Sequence, residues 1–110
     1  MPNYTMIESL VKEVEIPQNG TLSRTIYRDD NVKIVLFGFA GGQELSQHTA
    51  LVPAIIEIVQ GDARVTLDTE EKQLSAGSWV YMEANLPHAI YARTDVVMLL
   101  TLLSGAQLIT

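Results

Sequence analysis

Gly42-Gln43-Glu44-Leu45-Ser46-Gln47-His48-Thr49-Ala50, Ala54-Ile55-Ile56-Glu57-Ile58-Val59-Gln60 and Gly61-Asp62-Ala63-Arg64-Val65-Thr66-Leu67-Asp68 form one run of sequence on which the fold turns. In its last part Ala63, Val65 and Leu67 alternate with Arg64, Thr66 and Asp68. A period of two is that of a strand with one face buried and one face wet. Gly61-Asp62 is the turn that precedes it. Ala54 to Gln60 reads differently, because Ile55 and Val59 alternate against Ile56 and Ile58. A strand apolar on both faces in so short a chain calls for a second sheet or another subunit.

The same pattern extends in both directions. Upstream, Leu22 to Arg28 and Val32 to Ala40 are strand candidates separated by Asp29-Asp30-Asn31, and Leu45 to Ala50 follows the break at Gly41-Gly42. Downstream, Glu70-Glu71-Lys72 reads as a polar turn. Trp79 to Met82, His88 to Arg93 and Val96 to Leu103 are strand candidates, with Ala76-Gly77 and Leu86-Pro87 as breaks. Seven or eight short strands with regular turn signals predict an all-β sandwich or barrel. Ahead of them, Thr5 and Glu8 make a capping box, and Met6, Ile7, Leu10, Val11 and Val14 follow at helical spacing. This predicts a short N-terminal helix ended by Pro17 and Asn19-Gly20. No linker, repeat or low-complexity segment interrupts the chain. The expectation is one domain over 1–110 with a barrel core over about 32–103.

Composition narrows the function. Apolar residues are 47% of the chain and aromatics 6%, so the core is aliphatic. Seven basic against thirteen acidic residues give a net charge of -6, a field that repels phosphate backbones and argues against nucleic-acid binding. The chain has no cysteine, which removes disulfides, thiolate metal sites and cysteine nucleophiles and fits a cytoplasmic location. Val96 to Leu103, the longest apolar run, is far too short to span a bilayer, and Met1 to Tyr4 lacks signal-peptide character. The expected partners therefore include neither nucleic acid nor membrane.

Histidine is the chemically versatile residue here, and there are two, His48 and His88. No nucleophile elbow or phosphate-binding glycine loop accompanies them. Ser46 lies two residues from His48, a spacing that says nothing of a nucleophile–base pair.

Around these histidines the chain resembles the cupin superfamily. That family's first motif runs Gly, five residues, His-x-His, three or four residues, Glu, six residues, Gly; here Gly42, His48-Thr49-Ala50, Ala54 and Gly61 stand at those places. Its second motif runs Gly, five residues, Pro-x-Gly, two residues, His, three residues, Asn; here Gly77, Glu83-Ala84-Asn85, His88 and Ala92 stand there. Five anchors agree: Gly42, His48, Gly61, Gly77 and His88. The resemblance covers about Gly42 to Leu103. It implies a cupin-type double-stranded β-helix, or jelly-roll barrel, with the short N-terminal segment outside it.

In metal-binding cupins three histidines and a glutamate from these motifs point into the barrel and hold a divalent ion. The resemblance thus implies a metal site at His48 and His88, but Ala50 and Ala54 replace two of its ligands. Glu57 is no substitute, since strand alternation sends it to the other face from Ala54. Three readings stand side by side. In the first, the barrel binds a small molecule, with His48 and His88 as polar contacts in an apolar pocket walled by Ile56, Ile58, Ile90 and part of Val96 to Leu103. Met98 and Leu100 are the candidates to fill the vacated space there, and Tyr81 or Trp79 reaches the rim. In the second, the protein is a dioxygenase, isomerase or decarboxylase with Fe, Mn, Ni or Zn weakly held by His48, His88 and exogenous ligands. In the third, it is a non-catalytic structural or regulatory dimer. The doubly apolar strand and the habit of small cupins both predict a homodimer.

Overall fold

The computed structural model describes residues 3–105. Nine strands follow the N-terminal segment: β1 (Thr21–Arg28), β2 (Lys33–Phe39), β3 (Glu44–His48), β4 (Ala54–Gln60), β5 (Asp62–Leu67), β6 (Glu70–Ser75), β7 (Trp79–Met82), β8 (His88–Ala92) and β9 (Val96–Leu102). They form two antiparallel sheets, one in the order β1-β2-β9-β4-β7 and the other β3-β8-β5-β6. This is the jelly-roll arrangement of an all-β protein, as the turn spacing and the resemblance predict. No helix among the described residues is long and apolar enough to cross a membrane.

Strand period two decides what lies between the sheets. From β4 the inward residues are Ala54, Ile56 and Ile58, all buried. Their cross-strand partners on β9 are Leu102, Leu100 and Met98, and those of Ala54 and Ile56 on β7 are Met82 and Val80. The facing sheet contributes Ala63 and Val65 from β5 and Ile90 and Ala92 from β8. Full burial of such a side chain is worth roughly 1.5–3 kcal/mol, so this row-by-row interdigitation is the main cohesive term.

The outward face of the five-stranded sheet carries its own apolar cluster. Leu36 and Val97 are buried there beneath Val14, with Ile16, Val59, Ile26 and Leu99 packed around them. Here the predicted N-terminal helix is corrected. Only one 3-10 turn forms, Leu10–Glu13, with no side-chain cap at Ser9, and Val14 returns to extended backbone. A helix this short nucleates poorly, and Val11 and Val14 are stiff at χ1. An extended segment lays Val14 and Ile16 on the sheet instead, while Met6 and Val11 stay exposed. This covers Val59, so part of the doubly apolar character of β4 is satisfied within the chain.

A second correction concerns Glu70-Glu71-Lys72, which is the start of β6 and not a turn. The turn is Asp68-Thr69, with Asp68 at φ 59°. β6 pairs only with β5, and as an edge strand it presents exposed charge on both faces. Charge on an edge blocks pairing with other chains, but it hides the alternation that marks a strand.

The turns at one end of the barrel are tied together. Gly41 N–H donates to the Asp95 carboxylate at 2.9 Å and Asp62 N–H to the Thr94 hydroxyl at 3.0 Å. Gly61 sits among them at φ 91°, where an added Cβ would overlap the Asp95 carbonyl oxygen. Gly77 shares the conformation, at φ 96°, with open space where its Cβ would be. The two glycines separate backbone strain from steric overlap. Gly77→Ala is expected to cost about 1–2 kcal/mol, the left-handed penalty alone. Gly61→Ala is expected to cost about 3 kcal/mol or more. Urea unfolding midpoints of the two variants check this ordering; equal midpoints would contradict it.

Candidate functional site

At the opposite end β3 finishes and β8 begins, and the last Cα pair of that ladder is His48 with His88. β4 starts at the same end, after the connection 49–53. We call this end the mouth. The two imidazole centroids are 4.2 Å apart with their planes at 59°.

Both rings are held by the same local device. His48 Nδ1 lies 2.9 Å from the Ser46 carbonyl oxygen, and His88 Nδ1 lies 2.9 Å from that of Leu86. A carbonyl oxygen only accepts, so each Nδ1–H donates. In the neutral ring the proton is then on Nδ1 and the lone pair on Nε2. Neither Nε2 has a hydrogen-bond partner among the described residues. The mouth therefore holds two fixed nitrogen acceptors close together.

The loop that delivers His88 is anchored to the segment after His48. Asn85 N–H donates to the Ala50 carbonyl oxygen at 2.7 Å, and Asn85 adopts φ 69°. Asn is one of the few non-glycine residues that enters the left-handed region readily. Asn85 occupies the motif's glycine position and keeps the conformation a glycine would supply. Its role escaped the sequence reading, although an Asn at a motif-glycine position was the available signal.

The remaining site expectations divide. Ile56, Ile58 and Ile90 face the interior and are buried. Met98 is also interior, with no exposed surface, but it pairs with Ile58 and not with Ala54. Four residues of strand, roughly 13 Å, separate those levels. Met98 thus fills the barrel below the mouth, and the residues flanking Ala54 are Met82 and Leu102. Tyr81 is a correction. It pairs with Ile55 on the outer face and is 49% exposed, while its neighbour Met82 turns inward. Trp79 shares that outer face with Glu57 and is 59% exposed. A one-residue error in parity reverses a strand residue's face, and a strand of four residues gives little pattern to fix it.

The donor set does not fit the metal centre that the resemblance implies. Ala50 and Ala54 offer methyl groups, and Glu57 pairs with Trp79 and Leu99 on the outer face. No group of three or more His, Cys, Asp or Glu residues capable of holding a metal occurs among the described residues. Two imidazoles fall short of the three or four protein ligands usual for zinc and of the two-histidine, one-carboxylate iron site.

His88 is 4% exposed, and burial pushes its pKa below the ordinary 6.5. The Leu86 carbonyl opposes this shift and the nearby His48 adds to it. A lowered folded pKa means that the unfolded chain binds the proton more readily. This contribution to stability is therefore complete above about pH 6.5 and is lost as pH falls towards the folded value. The melting temperature is expected to drop on acidification below pH 6.5, with a shallower drop in His88→Gln. An NMR titration placing His88 at or above 6.5 would contradict the assignment.

Comparison with known proteins agrees with this architecture. The Cupin_2 family model, described as a cupin domain, matches residues 35–104. Among solved structures, a conserved protein of unknown function from Streptococcus pyogenes is 32% identical, with 93% of this chain and 90% of that one covered at a TM-score of 0.82. A cupin superfamily protein from Desulfitobacterium hafniense is 27% identical, with 94% of each chain covered and a TM-score of 0.82. KdgF from a Halomonas species, at 21% identity, a TM-score of 0.72 and 83% and 89% coverage, shares the fold. No curated protein matches the chain. The two sheets, the spacing of Gly42, His48, Gly61, Gly77 and His88, and the family match converge: the chain belongs to the Cupin_2 family.

Proposed function

We propose that this cupin binds a small organic molecule at the barrel mouth, where Nε2 of His48 and Nε2 of His88 accept hydrogen bonds from its hydroxyl or N–H groups. The observation that carries this reading is the pair of Nδ1–carbonyl bonds, which leaves both lone pairs on Nε2. Small-molecule sites join apolar walls to a few fixed polar groups. Leu67, Leu86 and Leu102 are half-buried hydrophobics packed on the core, and Leu67 and Leu102 pair directly with His88 and Ala54. They would supply those walls.

The same nitrogens could serve a metal only with further donors from solvent or substrate, which makes metal-dependent catalysis the second reading. One experiment separates the two. A library of small polar organic molecules and, separately, Zn, Mn, Ni and Fe(II) ions are titrated into protein labelled at the histidine ring nitrogens. Organic ligands are expected to move both Nε2 resonances, and His48→Ala and His88→Ala are each expected to weaken binding about tenfold, the worth of one hydrogen bond to a buried acceptor. Tight stoichiometric metal binding, or ligand binding that ignores both substitutions, would overturn the proposal.

We also propose that the chain is a homodimer joined through the outer face at β7. Trp79, Tyr81 and Ile55 lie together on that face beyond the cover of Val14 and Ile16. Exposed aromatic residues of this kind are typical interface anchors. Light scattering on the wild type is expected to give the mass of two chains, falling to one in Trp79→Glu. A wild-type mass of one chain would rule the dimer out.

A further inference from the structure

Lys33 occupies an unexpected place. It pairs with Leu102, which in turn pairs with Ala54. Residues directly paired across strands share a face, and Ala54 faces the interior. Lys33 therefore lies on the inner face at the level of the mouth. It stands two strand spacings, about 10 Å, from the motif position that Ala54 fills. It is half-buried, yet it makes no ion pair among the described residues, whereas Arg24, Arg64 and Lys72 each have a glutamate.

Its cross-strand partner on β1 is Arg28, so two cations stand directly opposite on one face. Like charges in that position destabilise a sheet. The nearby turn offers two acids, Asp29 and Asp30. Asp29 is already engaged: it accepts from the Tyr27 hydroxyl at 2.8 Å and from the N–H groups of Asn31 and Val32 at 2.8 and 2.9 Å. Asp30 is exposed and makes no ion pair among the described residues. In a protein of net charge -6, positive charge without an ion-pair partner at the barrel mouth is chemically specific.

We infer that the mouth is built for a hydroxylated organic anion, its hydroxyls donating to Nε2 of His48 and His88 and its carboxylate or phosphate held by Lys33 with Arg28 beside it. This inference rests on the proposal that the two histidines bind an organic molecule, and it adds the substrate class. Imidazoles whose Nδ1 atoms are already bonded to carbonyls present Nε2 to donors, and the cation pair calls for a negative group. Lysine's flexible stem lets its ammonium reach from the rim towards the ligand.

The test uses the whole chain and three matched sets of compounds: hydroxy acids from lactate to gluconate, polyols of the same lengths, and the corresponding polyol phosphates. Binding is read from the histidine Nε2 resonances and by calorimetry. The best anion is expected to bind at least about tenfold more tightly than its polyol, a preference that Lys33→Gln abolishes and Lys33→Arg largely keeps. Lys33→Gln is expected to leave polyol affinity unchanged and to raise the melting temperature slightly, because it relieves the repulsion with Arg28. Whichever of the carboxylate and phosphate sets binds more tightly names the anionic group. Polyols and anions binding equally, with Lys33→Gln silent, would overturn the anion inference and leave the pocket standing. No movement of either Nε2 resonance by any compound would overturn the pocket reading as well.

Discussion

The pairing of β3 with β8 ends on two histidines, and a cross-strand pair at the last rung of a ladder would ordinarily be free to splay. Here each ring is held by the carbonyl two residues before it. The two approaches to the rung are joined by the bond from Asn85 N–H to the Ala50 carbonyl. Those three hydrogen bonds fix the positions and the tautomers of the imidazoles without any metal. The chemistry open to the mouth follows from them: two rings whose Nε2 atoms are left to accept, with burial holding the His88 pKa below its ordinary value.

The alanines beside this pair are consistent with that state. A buried carboxylate at position 54 would need a cation or a full set of donors to offset its desolvation. Ala54 instead continues an apolar row between Met82 and Leu102, which requires no compensation. The packing around position 54 therefore places no demand on a bound ion.

Much of this was legible in the sequence because strand period two is a strong constraint where one face is dry. Ala54–Gln60 and Trp79–Met82 run between the limits that their residue patterns predict. The mouth residues His48 and His88 were legible from motif spacing. Position-specific surroundings were less so. Glu70–Ser75 reads as a turn because an edge strand needs no apolar face, and residues 5–14 read as a helix because an extended segment laid on a sheet can bury the same few side chains. Tyr81, expected at the pocket rim, lies on the outer face, because a strand of four residues carries too little pattern to show which face each residue takes. Lys33 went unnoticed because its significance depends on register through two neighbouring strands, which no local pattern encodes.

The two ends of the barrel are held by different devices. At the closed end Phe37 and Phe39 stack at 5.7 Å, Met98 and Ile58 are fully buried, and the turns around Asp95 and Thr94 are hydrogen-bonded to one another. Towards the mouth Ala54, Met82 and His88 are buried as well, and Leu67, Leu86, Leu100 and Leu102 around them are partly buried. Close-packed interiors resist deformation. A rigid floor then sets the register of the strands, and that register carries His48, His88 and Lys33 to the rim. In the proposed binding mode, specificity would come from the fixed polar groups and tolerance of ligand size from the leucines.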